Sequence, residues 1–395
     1  MNLSDKVKQQ TDALFSEIVQ HYRYLHQHPE LSHSEKNTYE YITRFLDAEG
    51  IGYRKDIGGY GILAHIKGEA FDNIKTIAFC ADMDALPIQE ENDVSYKSVN
   101  KKIMHACGHD AQTASLMGAA KLLNKNKKEF GGTVLFVFQP AEEQSPAGAS
   151  LMLKDDVFRD FIPEFIIKQH AYVDLPAGKV AFQQGTIMAS ADEIHIKVKG
   201  QGGHGALPHE LNDTVLAASN IVVAMQQVVS RRSNPFDPMV LSFGKFIADG
   251  ATNVIPKEVI LAGSLRCMNE EERTKMLNVI PQIVRSTAEA YGCECEVTIP
   301  EGYPCTVSDK EITEKVKKTA IKSIGEDNVT EFPKRMTADD FGFFCEKFEC
   351  CYYRFGVGGN KRTGKLHTST FLIDENSLRV STGLITLFAL EIMGK

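Results

Sequence analysis

Apolar residues recur along the first part of the chain in two patterns, which predict alternating strands and helices. Short, nearly continuous apolar runs at residues 62–66, 74–79, 133–138 and 165–168 are typical of strands buried within a sheet. Apolar positions spaced three and four apart predict two helices within the first 50 residues and a third helix over residues 111–124. Strands that alternate with helices in this way favour an α/β fold.

The pattern changes near Thr186, where a strict alternation of apolar and polar residues begins. The elements then predicted are a strand at 192–200, a helix at 212–230, strands at 239–247 and 259–267, a helix at 270–291 and a strand at 293–299. This β-α-β-β-α-β order is that of the split βαβ, or ferredoxin-like, motif. We therefore expect an α+β domain over residues 187–300, inserted into a first domain formed by residues 1–186 and 301–395.

Composition and charge narrow the classes of function. Of the 395 residues, 43% are hydrophobic, and the formal net charge is −8 without any long basic run. The chain therefore lacks the positive surface typical of proteins that bind nucleic acid or anionic membranes, and we expect a small-molecule partner, with no nucleic acid and no membrane. The polar first 20 residues and the odd, scattered set of nine cysteines favour a cytoplasmic protein without a disulfide framework.

Side chains with metal-ligand chemistry follow three of the predicted strands. They are Asp82 and Asp84, Glu142 and Glu143, and His170. Because α/β sheets place their ligands at the carboxyl ends of the strands, we expect these side chains to meet at one edge of the sheet. The sequence thus predicts a metal site at that edge.

The motif His105-Ala106-Cys107-Gly108-His109-Asp110 lies between these strands and leads into the helix predicted over residues 111–124. A thiolate from Cys107 and an imidazole from His109 are donors that zinc-like ions favour. Gly108 lets the backbone turn so that both donors face one place, whereas His105 is interpreted as structural. A later histidine, His367, follows a glycine-rich stretch and supplies a further donor.

The inserted domain contributes three more candidate site residues. His204 stands in the glycine-rich turn Gly200-Gln201-Gly202-Gly203-His204-Gly205-Ala206, where its imidazole could oppose a developing oxyanion. Asn253 and Arg266 offer an amide and a guanidinium group to a substrate carboxylate. Asp84 is expected to support the metal ligands by orienting an imidazole N–H.

Several of these motifs together resemble a known enzyme family. They are Ala81-Asp82-Met83-Asp84-Ala85-Leu86-Pro87, His105-Ala106-Cys107-Gly108-His109-Asp110, Gln139-Pro140-Ala141-Glu142-Glu143, Gly202-Gly203-His204-Gly205-Ala206, Asn253-Val254-Ile255-Pro256 and Leu366-His367. The set is similar to the M20 metallopeptidases and amidohydrolases. Within that family it resembles the branch of hippurate hydrolases, auxin-conjugate hydrolases and N-acetyldiaminopimelate deacetylases.

The resemblance implies a zinc-peptidase-like catalytic domain with a mixed central sheet, an inserted lid or dimerisation domain, and a homodimer or higher homo-oligomer. It also implies two divalent ions, of zinc, manganese, cobalt or nickel. The implied metal ligands are Cys107, His109, Glu143, His170 and His367.

The resemblance assigns the remaining roles as well. Glu142 would be the general acid and base, His204 would stabilise the oxyanion in the partner subunit's site, and Asn253 would help to hold the substrate. The wider family usually has a histidine ligand in place of Asp82 and a bridging aspartate in place of Cys107. Both departures match the narrower branch, so neither metal identity nor peptidase specificity carries over from the wider family.

The favoured function is metal-dependent hydrolysis of an N-acyl amino acid to a carboxylate and an amino acid. A bound divalent ion activates water and polarises the amide, and a neighbouring glutamate moves the proton. Three alternatives stay open at this point: a dipeptidase or aminopeptidase with the same metals, a metal-free hydrolase with a Cys107 and His109 nucleophile pair, and a non-catalytic binding protein. The last alternative leaves Glu142 without a purpose.

Overall fold

The computed structural model describes residues 2–71, 75–359 and 364–394. The helices are α1 (Leu3–Gln27), α2 (Lys36–Ala48), α3 (His109–Lys125), α4 (Gly148–Lys154), α5 (Thr214–Met225), α6 (Glu270–Ala290), α7 (Lys310–Ile324), α8 (Gly342–Cys345) and α9 (Ser377–Met393). The strands are β1 (Gly52–Ile57), β2 (Gly61–Lys67), β3 (Thr76–Asp82), β4 (Thr133–Gln139), β5 (Phe165–Pro176), β6 (Val180–Phe182), β7 (Gly185–Met188), β8 (Asp192–Lys199), β9 (Gly203–His204), β10 (Met239–Ile247), β11 (Val254–Ile255), β12 (Glu258–Cys267), β13 (Glu294–Thr298), β14 (Thr306–Ser308), β15 (Val329–Glu331) and β16 (Glu349–Gly358).

These elements form two compact units. The first unit comprises Met1–Gly185, Val307–Pro333 and Phe343–Lys395. The second unit comprises Thr186–Thr306 and Lys334–Gly342, so that it interrupts the first along the chain. In the part of the chain that the structure describes, no helix is both long enough and apolar enough to cross a membrane.

An eight-stranded mixed sheet forms the centre of the first unit, in the order β1-β2-β4-β3-β5-β16-β6-β15. The expected α/β class with a mixed sheet is confirmed. β3 runs parallel to both β4 and β5, so the carboxyl ends of these three strands lie at one edge of the sheet. All seven residues of β3 and all seven of β4 are buried, as the continuous apolar runs predict for strands covered on both faces.

Helix α3 is the buried helix behind that edge. It packs against α1, α9 and β3, and it carries small residues at Ala111, Ala114, Gly118, Ala119 and Ala120, all of them buried. A side chain added at Gly118 would place its Cβ only 2.9 Å from Ile18 Cγ1 of α1. The small residues thus let α1 approach closely, and the amino terminus of α3 is fixed in the core.

The second unit has the strand and helix order β8-α5-β10-β12-α6-β13 and a four-stranded sheet in the order β10-β12-β8-β13. Each pair of neighbouring strands in it is antiparallel. The apolar residues Ile194, Ile196 and Val198 alternate along β8 and are buried with residues of α5 and α6. This arrangement is that of the split βαβ motif.

Some boundaries differ from the predicted ones. The helix expected over residues 212–230 begins at Thr214 and is wrong in its last five residues, because α5 ends at Met225 and a π-helical turn follows over Val228–Arg232. The strand expected at 74–79 is β3, which begins at Thr76 and extends to Asp82, while Ile74 lies outside the described residues. The three-residue strands β6 and β15 were not predicted, since so short a run shows no periodicity.

Candidate metal centre

The turn that carries Cys107 and His109 depends on Gly108. Gly108 adopts a left-handed conformation (φ 85°) directly before α3, and an added Cβ would lie 2.7 Å from the Cβ of Ala171. Any other residue would therefore be both strained and too large at this position. With glycine there, Cys107, His109 and His170 place one potential ligand atom each within 4.8 Å of one another.

A second group of potential ligands shares Cys107 with the first. Cys107, Glu143 and His367 also lie within 4.8 Å of one another, as measured between their ligand atoms. The Cys107 sulfur is 3.4 Å from His170 Nε2 and 3.4 Å from His367 Nε2, and His367 Nε2 is 3.3 Å from Glu143 Oε1. The five residues that the resemblance implied as ligands are thus brought together around one thiol.

Glu142 stands beside these ligands. His109, Glu142 and Glu143 form a further group of this kind, and Glu142 Oε2 is 3.9 Å from His109 Nε2. Glu143 belongs to the group of potential ligands around Cys107 and His367. Its neighbour Glu142 is therefore available for a role other than binding an ion in that group, while it still lies close to His109.

His367 reaches the cluster through local backbone geometry. Its φ is 60°, in the left-handed region, and its N–H donates to the carbonyl oxygen of Ala106 at 2.8 Å. This hydrogen bond holds the segment that carries His367 next to Ala106, the residue directly before Cys107. The side chain is about half exposed (52%), so His367 forms the open side of the cluster, whereas His109 is fully buried.

Asp84 orients both a ligand and the glutamate turn. His109 Nδ1 lies 2.9 Å from the backbone oxygen of Asp84 and 3.3 Å from its Oδ1, which directs Nε2 toward the other ligands. Oδ2 of Asp84 accepts hydrogen bonds from Ser32 Oγ (2.7 Å) and the Glu143 N–H (2.9 Å). Although burial opposes ionisation, the hydrogen bonds from His109, Ser32 and Glu143 lower the pKa of Asp84 to about 2. Asp84 therefore contacts both the His109 imidazole and the backbone of Glu143.

Asp82 forms a buried ion pair. Lys168 Nζ is 2.8 Å from Asp82 Oδ1 and 2.7 Å from Oδ2, and neither side chain is exposed. Asp82 Oδ2 also lies 3.8 Å from His109 Nε2. The ammonium group of Lys168 therefore offsets the charge of a carboxylate that borders the cluster.

The donor set fits divalent cations. His109 Nε2 is buried and has no hydrogen-bond partner among the residues that the structure describes, which is costly unless another group occupies that position. Burial, and after it the charge of Glu143, raise the pKa of the Cys107 thiol, so a nearby cation is needed to hold it as a thiolate. Thiolate, imidazole and carboxylate donors together suit zinc and similar first-row ions.

The three candidate site residues of the second unit, His204, Asn253 and Arg266, lie in two separate parts of that unit. His204 is exposed in β9, opposite Val254 of β11, and the Gly205 N–H donates to the Asn253 carbonyl oxygen at 2.9 Å. His204 and Asn253 thus lie on neighbouring strand ends. Arg266 lies near the carboxyl end of β12, opposite Val240 of β10, and does not belong to the pair formed by His204 and Asn253.

Three residues at the site were not predicted: Ser32, Glu35 and Lys168. Lys168 carried a usable signal, because a lysine directly after the apolar run Phe165-Ile166-Ile167, inside a buried strand, requires a nearby counter-charge. Ser32 and Glu35 lie between α1 and α2. Ser32 contacts Asp84, which is 52 positions later in the chain, and Glu35 contacts Ala141, which is 106 positions later. No local pattern indicates such contacts.

Known proteins are similar to this chain in sequence and in fold. A family model described as peptidase family M20/M25/M40 matches residues 78–391. Thermostable carboxypeptidase 2 of Saccharolobus solfataricus is 34% identical over 401 residues and covers 100% of both chains. Hippurate hydrolase of Campylobacter jejuni is 34% identical over 372 residues, covering 93% of this chain and 94% of that protein. A crystal structure of the Bacillus subtilis YXEP protein, described as a dinuclear metal binding peptidase from the M20 family, has a TM-score of 0.82 at 30% identity and covers 97% of this chain and 99% of that one.

Proposed function

Because this chain belongs to peptidase family M20/M25/M40, we propose that it is a metal-dependent amidohydrolase that cleaves N-acyl amino acids into a carboxylate and an amino acid. The observation that carries this proposal is the position of Glu142 beside two potential ligand groups that share Cys107. The relatives named for hippurate hydrolysis and for dinuclear metal binding support it.

The proposed site holds two divalent ions. Cys107, His109, Glu143, His170 and His367 would hold them. Bound there, the ions would polarise the scissile carbonyl and lower the pKa of water. Zinc, manganese, cobalt and nickel are all compatible with the mixed thiolate, imidazole and carboxylate donors.

The chain's own residues carry the proton through the reaction. Glu142 takes a proton from the attacking water and then delivers it to the leaving amine, which cannot depart as an anion. Asp84 keeps the His109 imidazole in one orientation and holds the Glu143 backbone through its N–H. Asn253 is proposed to bind the substrate carboxylate, whereas Arg266 lies apart from it, near the carboxyl end of β12, and is not assigned to the same group.

A substrate panel tests the proposed function. N-acetyl and N-benzoyl amino acids are expected to have a kcat/KM at least about 100-fold above that of unblocked dipeptides, because an ammonium group next to the scissile amide is repelled by the bound cations. Initial rates should be measured on N-acyl amino acids, unblocked dipeptides and N-blocked dipeptides with the same metal-loaded protein.

The other two substrate classes define the alternatives. Preference for unblocked dipeptides would replace the proposal with a dipeptidase or aminopeptidase. Preference for N-blocked dipeptides would indicate a carboxypeptidase, the activity named for the Saccharolobus relative. A metal-free thiol mechanism is disfavoured because burial raises the pKa of Cys107, and a protonated thiol is a poor nucleophile.

We also propose that the protein is a homodimer or a higher homo-oligomer formed through the second unit. β10 is an edge strand of the four-stranded sheet and exposes Val240, Phe246 and Ile247, while α5 exposes Leu216 and Val223. Unpaired strand edges and exposed apolar side chains favour association with another chain. Oligomerisation would allow the partner subunit's His204 to stabilise the oxyanion.

Mixed oligomers test the role of His204. Glu142→Gln and His204→Ala chains are expected to be inactive separately, and mixing them should restore about a quarter of wild-type activity if random exchange forms dimers with one complete site in half of them. Light scattering should report the dimer in parallel. No recovery after proven subunit exchange, or an active monomer, would contradict a role for His204 in the partner's site.

We place the protein in the cytoplasm. All nine cysteines are free, which suits a reducing compartment. Cell fractionation with an antibody against the protein tests this placement, and recovery in a secreted or periplasmic fraction would refute it.

A further inference from the structure

The segment between α1 and α2, residues 29–35, contacts two turns of the metal centre, one that carries Asp84 and one that carries Glu142 and Glu143. The Ala85 N–H donates to the Glu30 backbone oxygen at 2.8 Å, directly after Asp84. Ser32 Oγ donates to Asp84 Oδ2 at 2.7 Å, and the Ala141 N–H donates to Glu35 Oε1 at 2.7 Å. This segment therefore links the turn that carries Asp84 to the turn that carries the two glutamates.

Glu35 does not perform the role that its position suggests. It precedes α2 at the capping position, yet its side chain makes no capping hydrogen bond. Glu30 caps the helix instead, by accepting from the N–H groups of Asn37 (3.1 Å) and Thr38 (2.8 Å). Glu35 is completely buried, and its Oε2 has no hydrogen-bond partner among the residues described. Burying a carboxyl group in this way is costly, and the hydrogen bond from the Ala141 N–H offsets part of that cost.

The turn that Glu35 contacts has an unfavourable backbone conformation. Ala141 has a φ of 50°, in the left-handed region, which is strained for a residue with a side chain. Its N–H donates to Glu35 and its carbonyl oxygen accepts from the Gly148 N–H at 2.9 Å. Gly148 packs so closely that an added Cβ would overlap the Pro140 carbonyl oxygen. Ala141 is therefore held from both sides, and Glu142 and Glu143 follow it directly.

We propose that Glu35 is a positioning residue that fixes the Pro140-to-Glu143 turn, and through it both the proposed base Glu142 and the proposed ligand Glu143. The inference rests on the proposed function only for the roles of those two glutamates. A displaced turn would move Glu143 relative to Cys107 and His367, and would move Glu142 relative to the water that it deprotonates.

The ionisation of Glu35 agrees with this arrangement. Burial, and after it the charge of Asp84, raise the pKa of Glu35 to about 7. A carboxyl group with that pKa can keep one oxygen as the acceptor for Ala141 and carry a proton on the other oxygen. Glutamine reproduces that protonated form in shape and in its acceptor oxygen.

The test compares Glu35→Met, which has no acceptor, with Glu35→Gln, which keeps one. Glu35→Met is expected to weaken divalent-metal affinity about 10- to 100-fold, to lower kcat by a similar factor and to change the visible absorption of the Co²⁺-loaded protein. Glu35→Gln should restore metal affinity, kcat and the Co²⁺ spectrum to near wild-type values. Glu30→Gln is the matched control, because Glu30 caps α2 from the same segment; it should lower the melting temperature without changing metal affinity or the Co²⁺ spectrum.

The outcomes separate this inference from the proposed function. Metal affinity and the Co²⁺ spectrum need no substrate, so they test Glu35 even if the wild type fails to hydrolyse N-acyl amino acids. Wild-type affinity and spectrum in Glu35→Met, or an equal loss in Glu35→Gln, would overturn the inference. If Glu35→Met does not fold, Glu35→Asp withdraws the acceptor from Ala141 by one methylene and should show the same loss of metal affinity.

Discussion

Replacing Glu142 with glutamine is expected to lower kcat about 1,000-fold while leaving two divalent ions bound per chain. Glutamine has nearly the same size as glutamate but cannot accept a proton from water. Glu142 is nearly buried (7% exposed), and its Oε2 is 3.9 Å from His109 Nε2, so the substitution acts directly beside the ligands. Steady-state hydrolysis of an N-acyl amino acid, measured together with metal content, checks the prediction.

Glu311→Gln is the matched control for this substitution, because Glu311 is exposed on α7. It makes the same chemical change outside the groups of potential ligands and should leave kcat and metal content unchanged. If Glu142→Gln retained full activity with both ions bound, Glu142 would not be the general base, and the proposed proton path would be wrong.

Replacing Cys107 with alanine is expected to have the second large effect, because Cys107 is the donor that both ligand groups share. Its sulfur lies 3.4 Å from both His170 Nε2 and His367 Nε2, so its removal deprives each group of its central atom. We expect metal affinity to fall by more than about 100-fold, with activity lost in parallel. Elemental analysis after dialysis against a weak chelator measures the loss.

Cys295→Ala controls for the loss of a thiol, since Cys295 belongs to β13 of the second unit. It should bind metal as the wild type does. Circular dichroism must show that the Cys107→Ala protein is folded. A folded Cys107→Ala protein that still holds two ions with wild-type affinity would show that the two groups do not share this ligand.

The sequence allowed the convergence of the ligand-type residues to be predicted because strand geometry imposes it. β4, β3 and β5 lie side by side and parallel, so the residues at the carboxyl ends of β3 and β4 meet at one edge. The strand expected to end at Lys168 is longer than predicted, because β5 continues to Pro176, and His170 therefore belongs to that edge from within the strand. The apolar runs alone show that these strands are buried. The position of Glu143, shortly after the carboxyl end of β4, could therefore be predicted from the hydrophobic pattern and the direction of the chain.

Other features of the site have no periodic signal. His367 reaches Cys107 through a left-handed backbone conformation and one hydrogen bond to Ala106, neither of which an apolar pattern encodes. Its place after the glycine-rich stretch makes it a candidate donor, and the family resemblance implies that it is a ligand. Glu35 contacts Ala141 across 106 positions of sequence, and such a contact follows only from the packed fold.

The limits on boundary prediction have a similar cause. The apolar spacing of α5 continues to Val228, but the backbone changes after Met225 to a π-helical turn over Val228–Arg232. So short a turn is not distinguished from an α-helix by the positions of its apolar residues. In contrast, β10 has the predicted bounds, Met239–Ile247, because both of its ends coincide with a change in pattern. Periodicity thus locates an element more reliably than it locates the end of a helix that changes type.

Removal and return of the metal ions tests the central claim most directly. The protein should be stripped with a chelator, titrated with Zn²⁺, Mn²⁺, Co²⁺ or Ni²⁺, and assayed at each step for hydrolysis of an N-acyl amino acid. We predict no activity in the stripped protein and full recovery as the second ion per chain binds. Activity that survives complete metal removal, or full recovery when only one ion per chain is bound, would contradict a dinuclear metal mechanism.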